Sequence, residues 1–160
     1  FPIAASARCQ SDYVLARPMQ VDALAPSHAI TLAFNGHVPA GRAAQTLRHL
    51  AARLDRKLLG PRYVGKPALR TKLLLVPEHE NTNTHYHGVL RVHPDVLDRF
   101  EGLLSESTDP QTGEIIQTLP LWLAVYRPGS SCVKAYASSG WGDYMTKAIT
   151  EQTYDNTITL

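Results

Sequence analysis

His85 and His87 stand one residue apart in the stretch THYHGVLRV, just ahead of an apolar run. On a β-strand, side chains alternate between faces, so both imidazoles point one way while Tyr86 and Gly88 point the other. Two imidazoles on one face can reach a single divalent ion. The chain has 7 histidines, so one such pair by itself does not make a metal site. The preceding VPEHE adds two carboxylates, Glu78 and Glu80, and a hairpin would bring one of them beside the histidines. Glu78, at the strand's edge, is the expected third ligand; Glu80 and His79 fall further into the turn. Two imidazoles and one carboxylate leave coordination positions open, as catalysis requires and a closed structural site avoids.

A second group of chemistry-bearing residues lies near the end, in DYMTKAI. Tyr144 and Lys147 are three apart and share one face of a helix. A tyrosine is a poor nucleophile at its unperturbed pKa of about 10. A cation or a metal-polarised substrate nearby would favour its phenolate and its attack.

These residues need a scaffold. AITLAFNG (29–36) reads as a strand closed by Asn35-Gly36. AGRAAQTLRHLAARLDRKLLG (40–60) has Leu47, Leu50, Leu54 and Leu58 at helical spacing, Pro39 before it and Gly60 at its end. A basic loop follows, with Arg62, Lys66 and Arg70, and Lys72 just beyond. KLLLVPEHE (72–80) reads as a buried strand breaking at Pro77; ENTNT is a turn and HYHGVLRV (85–92) the returning strand of a hairpin. PDVLDRFEGLLSE (94–106) has Pro94 in its first turn and early acidic residues, which predicts a helix. STDPQTGE is a turn, LPLWLAVYRP (119–128) and CVKAYAS (132–138) are strand candidates, and WGDYMTKAITEQ (141–152) is a final helix. Strands and helices in this order predict an α+β fold: a central, mostly antiparallel sheet of about five strands flanked by helices.

The bulk composition narrows the function classes. At 160 residues with 44% hydrophobic side chains, the chain fits one domain with a proper core. Residues 1–27, with Pro18 and Pro26, read as a lead-in to a single domain over 28–160. A net charge of +2 does not announce nucleic-acid binding, so any basic surface must be local. Cys9 and Cys132 lie far apart, expected as free thiols of a reducing, cytoplasmic compartment. No apolar run is long enough to span a membrane. FPIAASARCQ has no initiator Met and does not read as a signal peptide; both ends read as cuts in a longer chain.

A strand ending in FN, then Glu…H-x-H on a hairpin, then Y-x-x-K on a late helix is an ordered combination. It resembles the HUH endonucleases, which comprise rolling-circle replication initiators, relaxases and single-strand transposases. The resemblance covers about Ala29 to Thr150, with an aromatic Tyr86 between the histidines and ITLAFN (30–35) only loosely like the first motif of the family. A single tyrosine followed three residues later by lysine is similar to the replication-initiator branch. The resemblance implies that His85, His87 and Glu78 hold Mg²⁺ or Mn²⁺. It implies that Tyr144 attacks a phosphodiester, leaving a 5′-phosphotyrosine and a free 3′-hydroxyl, and that Lys147 offsets developing charge. It further implies single-stranded DNA or a DNA hairpin at an origin as partner, with a helicase domain or protein, and a plasmid, phage or mobile-element source; the Ala/Leu/Arg-rich composition leans towards a bacterial one. Arg62, Lys66, Arg70, Lys72, Arg91 and Asn35 are candidate DNA contacts, with Trp141 and Tyr136 as stacking platforms. Two other readings stay open: a 2-His-1-carboxylate hydrolase or oxygenase, which leaves Tyr144 and Lys147 without a role, and a non-catalytic RRM-like nucleic-acid-binding module.

Overall fold

A computed structural model describes residues 24–79, 81–136 and 158–160. Its strands are β1 (His28–Ala33), β2 (Lys72–Glu78), β3 (His85–Arg91), β4 (Ser105–Thr108), β5 (Ile115–Thr118), β6 (Ser130–Ala135) and β7 (Ile158–Thr159). Together they form one open seven-stranded sheet in the order β4-β5-β6-β1-β3-β2-β7, with every pairing antiparallel. Three α-helices join them: α1 (Ala40–Leu59), α2 (Leu97–Glu101) and α3 (Pro120–Val125). The fold is α+β, as the alternation of strands and helices implies, with a wider sheet than the five strands expected.

The two faces of the sheet differ. Ile30, Leu32, Leu73, Leu75, Tyr86, Leu90 and Val133 lie on one face and form the main core with Leu47, Leu50, Leu54 and Leu58 of α1. Those four leucines are the stripe legible in the sequence, and Gly60 caps the helix at φ 86°, a left-handed conformation suited to glycine. Residues one position out of phase point to the opposite face. There Leu74, Val76 and Val89 make a smaller cluster with Leu24 and Tyr136. Thr31, Glu78, His85 and His87 share this second face, because directly paired strand residues project the same way.

Three expectations are corrected. β2 does not break at Pro77 but runs to Glu78. Leu73 exchanges both backbone bonds with Leu160 on the side away from β3, so alternate residues through Pro77 turn their nitrogens to that side. The β2–β3 ladder therefore loses no bond to the proline. The helix expected over 94–106 is a 3₁₀ turn, Pro94–Val96, followed by the short α2, and ends at Gly102. Ser105–Thr108, in which only Glu106 favours a helix, instead pair with β5, an element not anticipated. The stretch 119–128 is not a strand: Pro120 opens helix α3, where adjacent Leu121 and Trp122 are both buried. A strand with one covered face cannot bury neighbours on both sides. Near the end of the sequence, Ile158–Thr159 pair as β7 beside β2, a strand not anticipated. The helix expected over 141–152 and most of the lead-in lie outside the described residues.

Candidate metal centre

β2 and β3 pair with Glu78 opposite His85 and Val76 opposite His87. This register delivers what the spacing required: a carboxylate beside two imidazoles on one face. Glu78 Oε2 lies 2.7 Å from His87 Nε2 and 3.1 Å from His85 Nε2. One potential ligand atom from each residue falls within 4.8 Å of the others. The histidine side chains are 17% and 14% exposed and Glu78 29%, which leaves the group recessed but open to solvent.

The outer nitrogens show that the group suits a cation. His85 Nδ1 lies 3.0 Å from the backbone carbonyl of Asn83, a pure acceptor, so Nδ1 carries the hydrogen and donates it. In the neutral form that donates from Nδ1, His85 would present its Nε2 lone pair to a cation set between it and Glu78. His87 Nδ1 is 3.1 Å from Thr31 Oγ1 on the neighbouring β1. Outer partners of this kind orient imidazole ligands and set their tautomer. Glu78, His85 and His87 could thus hold a metal ion; the donor set of two nitrogens and one carboxylate oxygen fits a divalent cation with open positions. The same donors accommodate several metals, so the site by itself does not single one out.

Burial holds the His87 pKa below the ordinary imidazole value of 6.5, because desolvation disfavours the charged form. The neighbouring Glu78 carboxylate acts in the opposite direction without reversing the shift. Low proton affinity keeps the imidazole neutral, the form that ligates metals.

Sequence reasoning missed the supporting groups. Thr31 is a polar residue between Ile30 and Leu32, and its alternation out of the core was the available signal. The Asn83 carbonyl carries none, since any residue type supplies one. His79 stands at the rim, with φ 51°, its Nε2 3.7 Å from Glu78 Oε1 and its ring 5.3 Å from that of His85.

The remaining candidates are dispersed. Arg70 donates from Nε to buried Asp55 at 2.9 Å, and Asp55 also accepts from the Thr71 amide at 2.8 Å. Lys66 Nζ donates to the Leu59 carbonyl and Asn35 Nδ2 to the Pro128 carbonyl. These four bonds hold loops in place and are structural contributions. Arg62 is exposed in the turn after α1. Lys72 and Arg91 are paired across β2 and β3 on the triad's face, but at the far end of the hairpin from Glu78. Tyr136 is half-buried against the second-face cluster. Tyr144, Lys147, Trp141 and Glu80 lie outside the described residues. No helix among the described residues is long and apolar enough to cross a membrane. Compared with known proteins, the chain matches no protein-family model, no curated protein and no solved structure.

Proposed function

We propose that this protein is a metal-dependent DNA nicking and joining enzyme of the HUH type. The observation that carries the reading is the Glu78–His85–His87 group, set on one strand pair with its Nε2 atoms converging on a single carboxylate oxygen.

Glu78, His85 and His87 would hold Mg²⁺ or Mn²⁺, which when bound supplies Lewis-acid polarisation of a phosphodiester. The Tyr144 oxygen attacks phosphorus, the bond from phosphorus to the 3′-oxygen breaks, and the phenolic proton is passed to that oxygen. The products are a 5′-phosphotyrosine and a free 3′-hydroxyl. Lys147 offsets charge developing on the phosphate oxygens. The reverse transesterification rejoins the strand and needs no nucleotide cofactor.

The test is an SDS-resistant adduct between the protein and labelled single-stranded, origin-like DNA with Mn²⁺. Wild type is expected to form it. Tyr144→Phe and His87→Ala are expected not to. An adduct that survives Tyr144→Phe, or none from wild type, overturns the proposal. Mn²⁺ binding without any adduct would favour the hydrolase or oxygenase reading, for which the same ligand set is suited.

A further inference from the structure

α1 lies on the face of the sheet away from the triad, and its outer surface is charged in one sense only. Arg42, His49, Arg53 and Arg56 recur at spacings of seven, four and three, which aligns them along one stripe, with Lys57 beside them and Arg48 on its flank. The only carboxylate in the helix, Asp55, is buried and held by Arg70. From Arg42 to Arg56 the stripe runs about 21 Å at helical rise. A shallow basin of about 610 Å³ lined by His49, Arg53, Arg56, Lys57 and Pro61 lies along it. A second basin, of about 460 Å³, adjoins it through the same His49, Arg53 and Arg56.

Basic residues near a helix C-terminus commonly answer the exposed carbonyls of the last turn. Here other cations do that work: Arg99 Nη1 donates to the Leu58 carbonyl and Lys66 Nζ to the Leu59 carbonyl. Arg53, Arg56 and Lys57 form no ion pair with a carboxylate among the described residues. A row of like charges on one rigid helix repels itself modestly in water, and a polyanion laid along it would relieve that repulsion.

We propose that the outer stripe of α1 is a metal-independent docking surface for the phosphate backbone of duplex DNA, such as a hairpin stem. Duplex is favoured over single strand because the stripe carries no aromatic platform for stacking; the nearby Tyr63 ring is covered by the Arg70 guanidinium, 5.3 Å from its centroid. A lipid surface is disfavoured because the apolar face of α1 is spent on the core, leaving nothing to insert. The surface stands on the helix alone; only the choice of DNA over RNA rests on the nuclease reading.

The experiment measures anisotropy of a labelled DNA hairpin with the full chain carrying Tyr144→Phe, in EDTA, across a salt series. Cleavage therefore plays no part, and a failed adduct assay leaves this test intact. Replacing Arg53, Arg56 and Lys57 together by Gln keeps helix propensity. It is expected to weaken hairpin binding by about tenfold or more and to reduce the slope of log affinity against log salt by roughly 2–3. Circular dichroism and the thermal midpoint of the triple variant should match the parent. Unchanged affinity and slope in the folded triple variant overturn the proposal. So does no hairpin binding by the parent, or tighter binding to single-stranded DNA, to duplex RNA or to anionic vesicles.

Discussion

Thr31 touches the candidate site only through His87, yet the proposal depends on it. Its hydroxyl sits on the Nδ1 side of the ring, so removing it frees His87 to rotate and to change tautomer. Thr31→Val keeps the shape and β-branching of the strand residue. It is expected to weaken Mn²⁺ binding by about 10- to 100-fold, measured by calorimetry, while leaving the fold intact. The depressed pKa of His87 makes a separate claim about acidity. Between its folded value and 6.5, the unfolded chain binds more protons at this site than the folded one, so unfolding free energy rises with pH there. Metal-free protein should lose stability as pH falls below about 6.5, and His87→Gln should flatten that part of the profile. Urea midpoints at pH 7.5 and 5.5 compare the two; an identical pH dependence in the variant would exclude His87 as a source.

At the level of elements, α1 and the β2–β3 hairpin do most of the positioning, and both were legible. The leucine stripe of α1 needs only a period of 3.6, and the hairpin needs only apolar runs on either side of ENTNT. What the sequence concealed were elements whose pattern depends on a neighbour. Ser105–Thr108 has no apolar face and becomes a strand only because β5 pairs with it. Leu121, Trp122 and Val125 fit a short helix as well as a strand, and the proline at the start decided for the helix. The loop after α1 shows the same dependence on context. Arg70 reads as one basic residue among several, whereas its partner Asp55 lies fifteen residues back and wholly buried. Asp55→Ala would leave the Thr71 amide without its acceptor and a guanidinium without its carboxylate. A loss of about 2–3 kcal/mol is expected in chemical denaturation. A loss below about 0.5 kcal/mol would show that water substitutes fully.

For the whole molecule, the sheet separates two chemistries. The carboxylate–imidazole group occupies one face and the basic stripe of α1 the other, so a net charge of only +2 hides a strongly uneven distribution. A ligand that binds only the folded state stabilises all of it, by about 2.7 kcal/mol at a hundredfold excess over its dissociation constant. Saturating Mn²⁺ should therefore raise the thermal midpoint of wild type, and EDTA should return it. The same addition should leave a protein with both His85→Ala and His87→Ala unmoved. A shift that persists in the double variant would place the ion elsewhere.

Glu78, His85 and His87 come from a single hairpin, spanning ten consecutive positions, and this bears on how the chain avoids misassembly. Strands can slip, and a slip of one residue would drive both imidazoles into the leucines of the α1 face and turn Tyr86 and Leu90 out of the main core. An ion held by this trio can be captured only in the native register. Once bound, it acts as a proofreader: a mispaired β2–β3 hairpin forfeits its core and its cation together.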